Sequence, residues 1–260
     1  MMRSLWTAAT GMIAQQTHID VLSNNLANVN TVGFKKSRAE FEDLMYQTLQ
    51  IACGLNEGGS RIPTGMQIGM GVRPVTVHKF FTQGDFQNTG NPLDIAIEGN
   101  GFFKLNQNGT DVYTRAGSFK LDNEGRLVTA NGYPLQPEFV VPNTTVSIVV
   151  TERGHIAALD KAGTELAAAD IPLYNFLNPA GLNAVGRNLF VATEASGPAT
   201  QGTPGQDNFG TLTQGFLEGA NVQMVDEMVG LIIAQRAFEL NSKSITTSDA
   251  ILQTAINVKR

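Results

Sequence analysis

Apolar residues recur every seven positions at both ends of this chain, and that repeat limits the possible folds more than any other feature. At the front Leu5, Met12, Ile19 and Leu26 make one row, with Ala8, Gln15, Leu22 and Val29 offset from it; at the back Met224, Leu231, Phe238, Ile245 and Leu252 repeat the spacing. A seven-residue apolar repeat marks a coiled-coil seam, narrower than the stripe a helix needs for broad docking on a sheet. Residues 3–29 and 221–258 are therefore predicted to be helices, about 40 and 55 Å long at ~1.5 Å per residue, packed on each other and on neighbours. A second row at the back, Met228, Gln235, Ser242, Asp249 and Ile256, is half polar, which suits a wet lumen or another subunit.

The middle of the chain follows a different rule. Alternating segments such as Leu93–Ile97, Gly101–Leu105, Asp111–Thr114, Ser118–Leu121 and Arg126–Thr129 are separated by Gly, Asn and Pro, the pattern of short antiparallel strands. Asn108-Gly109 and Asn131-Gly132 are hairpin signals of type I′, whose two central residues need positive φ. Residues 34–48 mix charged and apolar side chains and allow either a strand or a short helix, while Gly54, Gly58, Gly59, Pro63, Gly65, Gly69 and Gly71 oppose regular helix over 49–71. The expected fold class is α+β: long N- and C-terminal helices pairing as a coiled coil, with an inserted, mainly antiparallel β domain. The expected units are 1–30 with 221–260 as helical core, 31–71 with 211–220 as connecting hairpin segment, and 72–210 as outer β domain.

Composition removes several function classes. A net charge of −5 with no basic stripe argues against nucleic acid. The single Cys53 excludes an intrachain disulfide and a multi-cysteine metal site. No apolar run approaches the ~20 residues that span a bilayer, and the N-terminus lacks the apolar core of a cleaved secretory leader.

Catalytic chemistry finds little support. His18, His78 and His155 have no second ligand at metal spacing. Gly99-Asn-Gly101 lacks the third glycine and following helix of a phosphate loop. Asp94 and Glu98 resemble a carboxylate pair only as alternating residues of one strand, and no Gly-x-Ser-x-Gly is present. The expectation is a non-enzyme without cofactor or metal.

Three separated regions, at the front, in the middle and in the tail, carry a resemblance. The run Ser23-Asn-Asn-Leu-Ala-Asn-Val-Asn-Thr-Val-Gly-Phe-Lys35 resembles the signature closing the N-terminal helix of the bacterial flagellar rod and hook axial proteins, with Asn24, Asn25, Leu26, Asn28, Thr31, Gly33 and Phe34 as its matching positions. Asn91–Phe103, Gly215–Gln223 and Ile233–Asn241 are similar to further stretches of that family. Length and a single β insertion resemble its distal rod members, in which the segment matching 46–71 (Tyr46, Gly54, Gly58, Pro63, Gly65) is thought to brace neighbours and keep the tube straight.

The resemblance implies a homo-oligomeric helical polymer. It also implies end-to-end contacts with other rod proteins and the hook protein, surrounding bushing rings in peptidoglycan and outer membrane, and export through the flagellar type III apparatus into the periplasm. Leu5, Met12, Ile19, Leu22, Leu26, Val29, Met224, Met228, Leu231, Phe238, Ile245, Leu252 and Ile256 would form the assembly seam. A hook or proximal rod subunit is the neighbouring alternative, and a cell-wall-binding or hydrolysing β module the distant one.

Overall fold

A computed structural model describes residues 2–51 and 64–258. Helix α1 covers Met2–Ala27 and helix α2 covers Met224–Val258, and the described residues between them form short strands, nineteen in all. The chain divides into two compact units. One contains α1 through Leu26, residues 37–78 and α2; the other contains residues 27–36 and 79–223.

In the helical unit, α1 and α2 touch in antiparallel register. Ser4 Oγ lies 3.4 Å from Ser248 Oγ, Gly11 faces the Asn241 side chain, Leu22 packs on Gly230, and Asn25 Nδ2 donates to Glu227 Oε2 at 3.1 Å. Seven residues up one helix match seven residues down the other.

These contacts correct the coiled-coil expectation. The surfaces that meet are small or polar, namely Ser4, Gly11 and Asn25 against Glu227, Asn241 and Ser248, and the chain as a whole is β-rich rather than a helical coiled coil. A heptad row shows which side chains avoid water but not what covers them. Close approach of α1 and α2 uses a row displaced from the large apolar residues, and of the predicted seam only Leu22 is buried. Leu5, Met12, Ile19, Leu26, Val29, Leu231, Ile245 and Leu252 are half-buried, while Met224, Met228, Phe238 and Ile256 are exposed.

Residues 37–78 supply two ribbons. Ser37–Asp43 pairs with Val72–Lys79, which settles the open reading of 34–48 in favour of a strand. Tyr46–Gln50 pairs antiparallel with Met66–Gly69, and every residue of the first strand is exposed.

The β unit owes its core to period-two alternation. Ile95, Ile97, Phe103, Leu105, Phe119, Leu127, Leu135, Ile156, Leu173 and Leu212 fill one cluster. Phe102, adjacent to Phe103, points the other way into a second cluster with Tyr113, Phe176, Leu182 and Phe190, where the rings meet edge to face. A four-stranded antiparallel sheet, Asn183–Gly186, Leu189–Val191, Thr110–Thr114 and Phe103–Gln107 in spatial order, lies between them. Asn108-Gly109 closes its last hairpin with both residues at positive φ, as type I′ requires. Asn131-Gly132 differs, because only Gly132 has positive φ and its N–H returns to Thr129 O at 2.9 Å.

Candidate functional site

Two features stand out: a buried charged hub in the β unit, and apolar faces left open in the helical unit. The hub is centred on Glu218, the last residue of the strand Phe216–Glu218, whose side chain is fully buried. Its Oε1 accepts from Lys35 Nζ at 2.7 Å and from Gly84 N at 3.0 Å, and its Oε2 accepts from Arg115 Nε at 2.6 Å. Lys35 also donates to Thr82 O at 2.7 Å.

The rest of the Arg115 fork is held by main-chain oxygens: Nη1 donates to Gly101 O at 2.8 Å, and Nη2 to Gly99 O at 2.5 Å and Ile97 O at 3.3 Å. One carboxylate thus serves two buried cations, and main-chain carbonyls accept further protons from both. Burial pulls the Lys35 ammonium below its ordinary pKa; Glu218 opposes that shift and Arg115 adds to it.

The hub explains why the signature Ser23–Lys35 has its particular residues. After α1, Thr31 N donates to Asn28 O at 3.0 Å and Thr31 Oγ1 meets Asn28 Oδ1 at 3.2 Å, closing a turn. Gly33 has φ +69° and its N–H donates to Glu218 O at 2.8 Å; a Cβ there would lie 2.7 Å from Ala116 N, so only glycine fits. Phe34 is buried beneath Lys79, whose Nζ is 5.2 Å from the ring centroid, and desolvation lowers the Lys79 pKa. Asn221 Oδ1 accepts from Lys36 N at 2.7 Å while its Nδ2 donates to Phe80 O at 2.9 Å, tying the entry and exit of the β unit together.

In the helical unit Asn25 behaves like one residue of a strand ladder. Its Nδ2 donates to Ser37 O at 2.8 Å and its Oδ1 accepts from Ser37 N at 2.9 Å, with the buried Glu227 as third partner. Leu26 is half-buried and Asn24 exposed.

The open faces are extensive. On α2 Val225 (71% exposed), Ile233 (64%) and Leu240 (66%) face solvent, as do Trp6 and Ile13 on α1. On the ribbon of Tyr46–Gln50 and Met66–Gly69 and beside it, Met45, Tyr46, Leu49, Ile51, Met66 and Ile68 are exposed, and Gly65 precedes the second strand. Gly54, Gly58, Pro63 and Cys53 lie outside the described residues. Two-stranded ribbons and helices with this much exposed apolar surface are characteristic of chains that finish burying themselves in contact with others.

Sequence reading did not single out Glu218, Arg115, Asn221 or Glu227 as site residues. A lone acid in the apolar strand Phe-Leu-Glu was the available signal for Glu218, and Arg115 and Lys35 carried none, since their partners lie 103 and 183 residues away. Of the two carboxylates weighed for catalysis, Asp94 accepts from Thr89 Oγ1 at 2.6 Å and belongs to a turn, while Glu98 ends the strand Ile95–Glu98. Among the described residues no group of three or more His, Cys, Asp or Glu is placed to hold a metal, and no helix is long and apolar enough to cross a membrane.

Comparison with known proteins matches these features segment by segment. Residues 5–35 fit the family "Flagella basal body rod protein", 96–158 the "Flagellar hook protein FlgE/F/G D1 domain", and 213–258 the "Flagellar basal body rod FlgEFG protein C-terminal". A flagellar basal-body rod protein FlgG of Borreliella burgdorferi is 47% identical over 264 residues, covering all of both chains. The chain belongs to the flagellar basal-body rod protein family. FlgG of Caulobacter vibrioides is 46% identical over 97% of each chain, and that of Bacillus subtilis 41% over the full length of both. A flagellar hook protein FlgE of Helicobacter mustelae is 46% identical over 52% of this chain but only 30% of its own. The matched segments contain the hub's charged residues and the other hydrogen-bonded polar residues described: Asn25 and Lys35 in the first, Arg115 in the second, and Glu218, Asn221 and Glu227 in the third.

Proposed function

We propose that this chain polymerises as a structural subunit of the flagellar distal rod, forming a straight, rigid tube that transmits torque as a drive shaft. The observation that carries this reading is the division of labour on α2: a small and polar stripe meets α1, and the large apolar residues on its other sides remain open. Each side chain of that size contributes about 1.5–3 kcal/mol when fully buried, so several per subunit, closed by identical neighbours, support a strong and repetitive contact. Met224, Met228, Phe238 and Ile256, with the half-buried Leu231, Ile245 and Leu252, supply the α2 seam to neighbours; Leu5, Met12, Ile19 and Leu26 supply the α1 side, whereas Leu22 is already covered by α2 and Val29 lies beyond the end of α1. The ribbon of Tyr46–Gln50 and Met66–Gly69, with Gly65 beside it, braces adjacent subunits and resists bending.

The expected partners are other copies, rod and hook proteins at the ends, and the bushing rings around the rod where it crosses the periplasm; export through the flagellar type III apparatus delivers the subunit. A hook subunit is the less supported reading, because relatives named as rod proteins match end to end while the hook match spans about half the chain. Electron microscopy of the concentrated full-length protein, beside a version lacking residues 1–30 and 221–260, tests the proposal. Straight tubes from the full-length chain alone are expected. Curved tubes would favour the hook reading, and tubes from the shortened chain would remove the helices from the account.

A further inference from the structure

A cavity of about 540 Å³ opens in the β unit, well away in sequence from the helices. Its walls come from the antiparallel strands His155–Leu159 and Glu165–Asp170 and from the ribbon of Leu173–Asn175 and Thr200–Gly202, with the turns beside them. That volume lies within the range of small-molecule sites. Ile171 and Pro204, both buried, give it an apolar lining together with Pro172.

The walls are braced by the protein's own bonds. Gly154, at φ +87°, packs so closely on Pro204 that a Cβ would lie 2.8 Å from the proline Cγ, and its carbonyl accepts from Ile171 N at 2.7 Å. In the loop carrying Gln206, Gly205 N donates to Gly210 O at 3.0 Å and Phe209 N to Gln206 O at 2.9 Å.

The polar groups of the lining are unevenly used. Gln201 Oε1 accepts from Tyr174 OH at 3.3 Å, and Gln206 Oε1 accepts from Thr203 Oγ1 at 2.8 Å. His155 Nδ1 lies 2.8 Å from Asp170 Oδ1 and is the donor, because a carboxylate only accepts. Internal bonds therefore consume acceptors and leave donors. Among the described residues the Nε2 groups of Gln201 and Gln206 and the Arg153 guanidinium have no partner, and Asp170 Oδ2 is the spare acceptor beside them. A guanidinium with amide donors matches a carboxylate. Asp170 would repel a second carboxylate but accepts an N–H, and it is joined through His155 to a turn whose Arg153 is two residues away.

We propose that this cavity binds the α-carboxylate of an apolar amino acid, either free or as the last residue of a peptide. Arg153 and the two glutamine Nε2 groups take the carboxylate, Asp170 takes the nitrogen, and Ile171, Pro172 and Pro204 cover the side chain.

The test is saturation-transfer NMR on the dilute full-length protein, titrated with leucine, N-acetyl-leucine, leucine amide and acetate. Tighter binding of leucine identifies the free amino acid, and tighter binding of N-acetyl-leucine the peptide end; either supports the site. Leucine amide, which lacks the carboxylate, and acetate, which lacks the nitrogen and side chain, should bind about tenfold more weakly than the better of the two. Arg153→Gln, at an exposed position, should keep the parent's melting temperature and weaken the better ligand about tenfold. Lys161→Gln, an exposed cation outside the lining, should change nothing. No transfer to either leucine compound, acetate binding as well as they do, or binding that survives Arg153→Gln would overturn the proposal.

Discussion

Replacing Glu218 by Gln is the sharpest test of the hub. The substitution keeps side-chain size and one accepting oxygen but removes the carboxylate bonded to Lys35 and Arg115, both nearly inaccessible to solvent. Breaking a buried ion pair by neutralising one partner costs about 3–5 kcal/mol, because the remaining charge stays buried without compensation. Two cations are stranded here, so the upper part of that range is expected, a third or more of the ~5–15 kcal/mol that typically holds a domain together. Lys35→Met should be far milder. It leaves the Arg115–Glu218 pair balanced, keeps Gly84 N on Oε1, and loses the bond to Thr82 O, for about 1 kcal/mol. In urea unfolding followed by circular dichroism, the double variant should lie well above the sum of the singles in stability, since removing Lys35 relieves part of the charge that Glu218→Gln strands. An Glu218→Gln loss below about 1 kcal/mol, or a double variant that is simply additive, would refute the claim that charge compensation holds these segments together.

Two further outcomes follow from the same region. Burial lowers the Lys35 pKa, so the folded state binds its proton less tightly than the unfolded chain, and the penalty for burying the charge is present at neutral pH. Stability should therefore gain a contribution as pH rises from that depressed value towards the ordinary 10.5, and urea midpoints measured across this window should rise more in the parent protein than in Lys35→Met; identical slopes would contradict the assignment. Gly33→Ala places a Cβ 2.7 Å from Ala116 N at a φ of +69° and should cost about 1–3 kcal/mol in a thermal melt, whereas Gly132→Ala, with open space around its Cβ, should cost less.

The parts of the fold that were legible in the sequence are those set by local rules. Asn28 to Asn30 mark where α1 stops because asparagines tolerate the turn, and the α1 helix ends at Ala27; the Asn108-Gly109 hairpin follows from the φ its turn type demands. Long-range geometry was not legible. The heptad rows correctly placed helices at both ends, yet the stripe joining α1 to α2 runs through Gly11, Asn25, Glu227 and Asn241, residues that a hydrophobic periodicity passes over. Hydrogen-bonded polar pairs of this kind are specified by tertiary position, and nothing in the spacing around Asn25 anticipates its ladder with Ser37. The hub was hidden for the same reason: a buried Lys, Arg and Glu look like surface charges until the fold brings them together.

That separation between what folds the subunit and what assembles it can be tested on neighbouring residues of α2. Ala234 is 2% exposed, in the same seven-residue row as Glu227, Asn241 and Ser248; Ile233 is 64% exposed. Ala234→Leu adds bulk to a filled contact and should destabilise the free subunit by about 1–3 kcal/mol. Ile233→Asp should leave the subunit's melting unchanged within about 0.5 kcal/mol, since a charge at an exposed helical position loses nothing that was buried. If Ile233 is covered in the polymer, the same aspartate forfeits about 1.5–3 kcal/mol of apolar burial per subunit and puts an unpaired charge into the contact as well, and pelleted polymer should disappear. Side-by-side thermal melts and sedimentation of concentrated protein separate the two effects. An Ile233→Asp protein that polymerises like its parent would show that the face of α2 carrying Ile233 stays open in the polymer, and the contact would then be confined to Met224, Met228, Phe238 and Ile256 with the half-buried Leu231, Ile245 and Leu252.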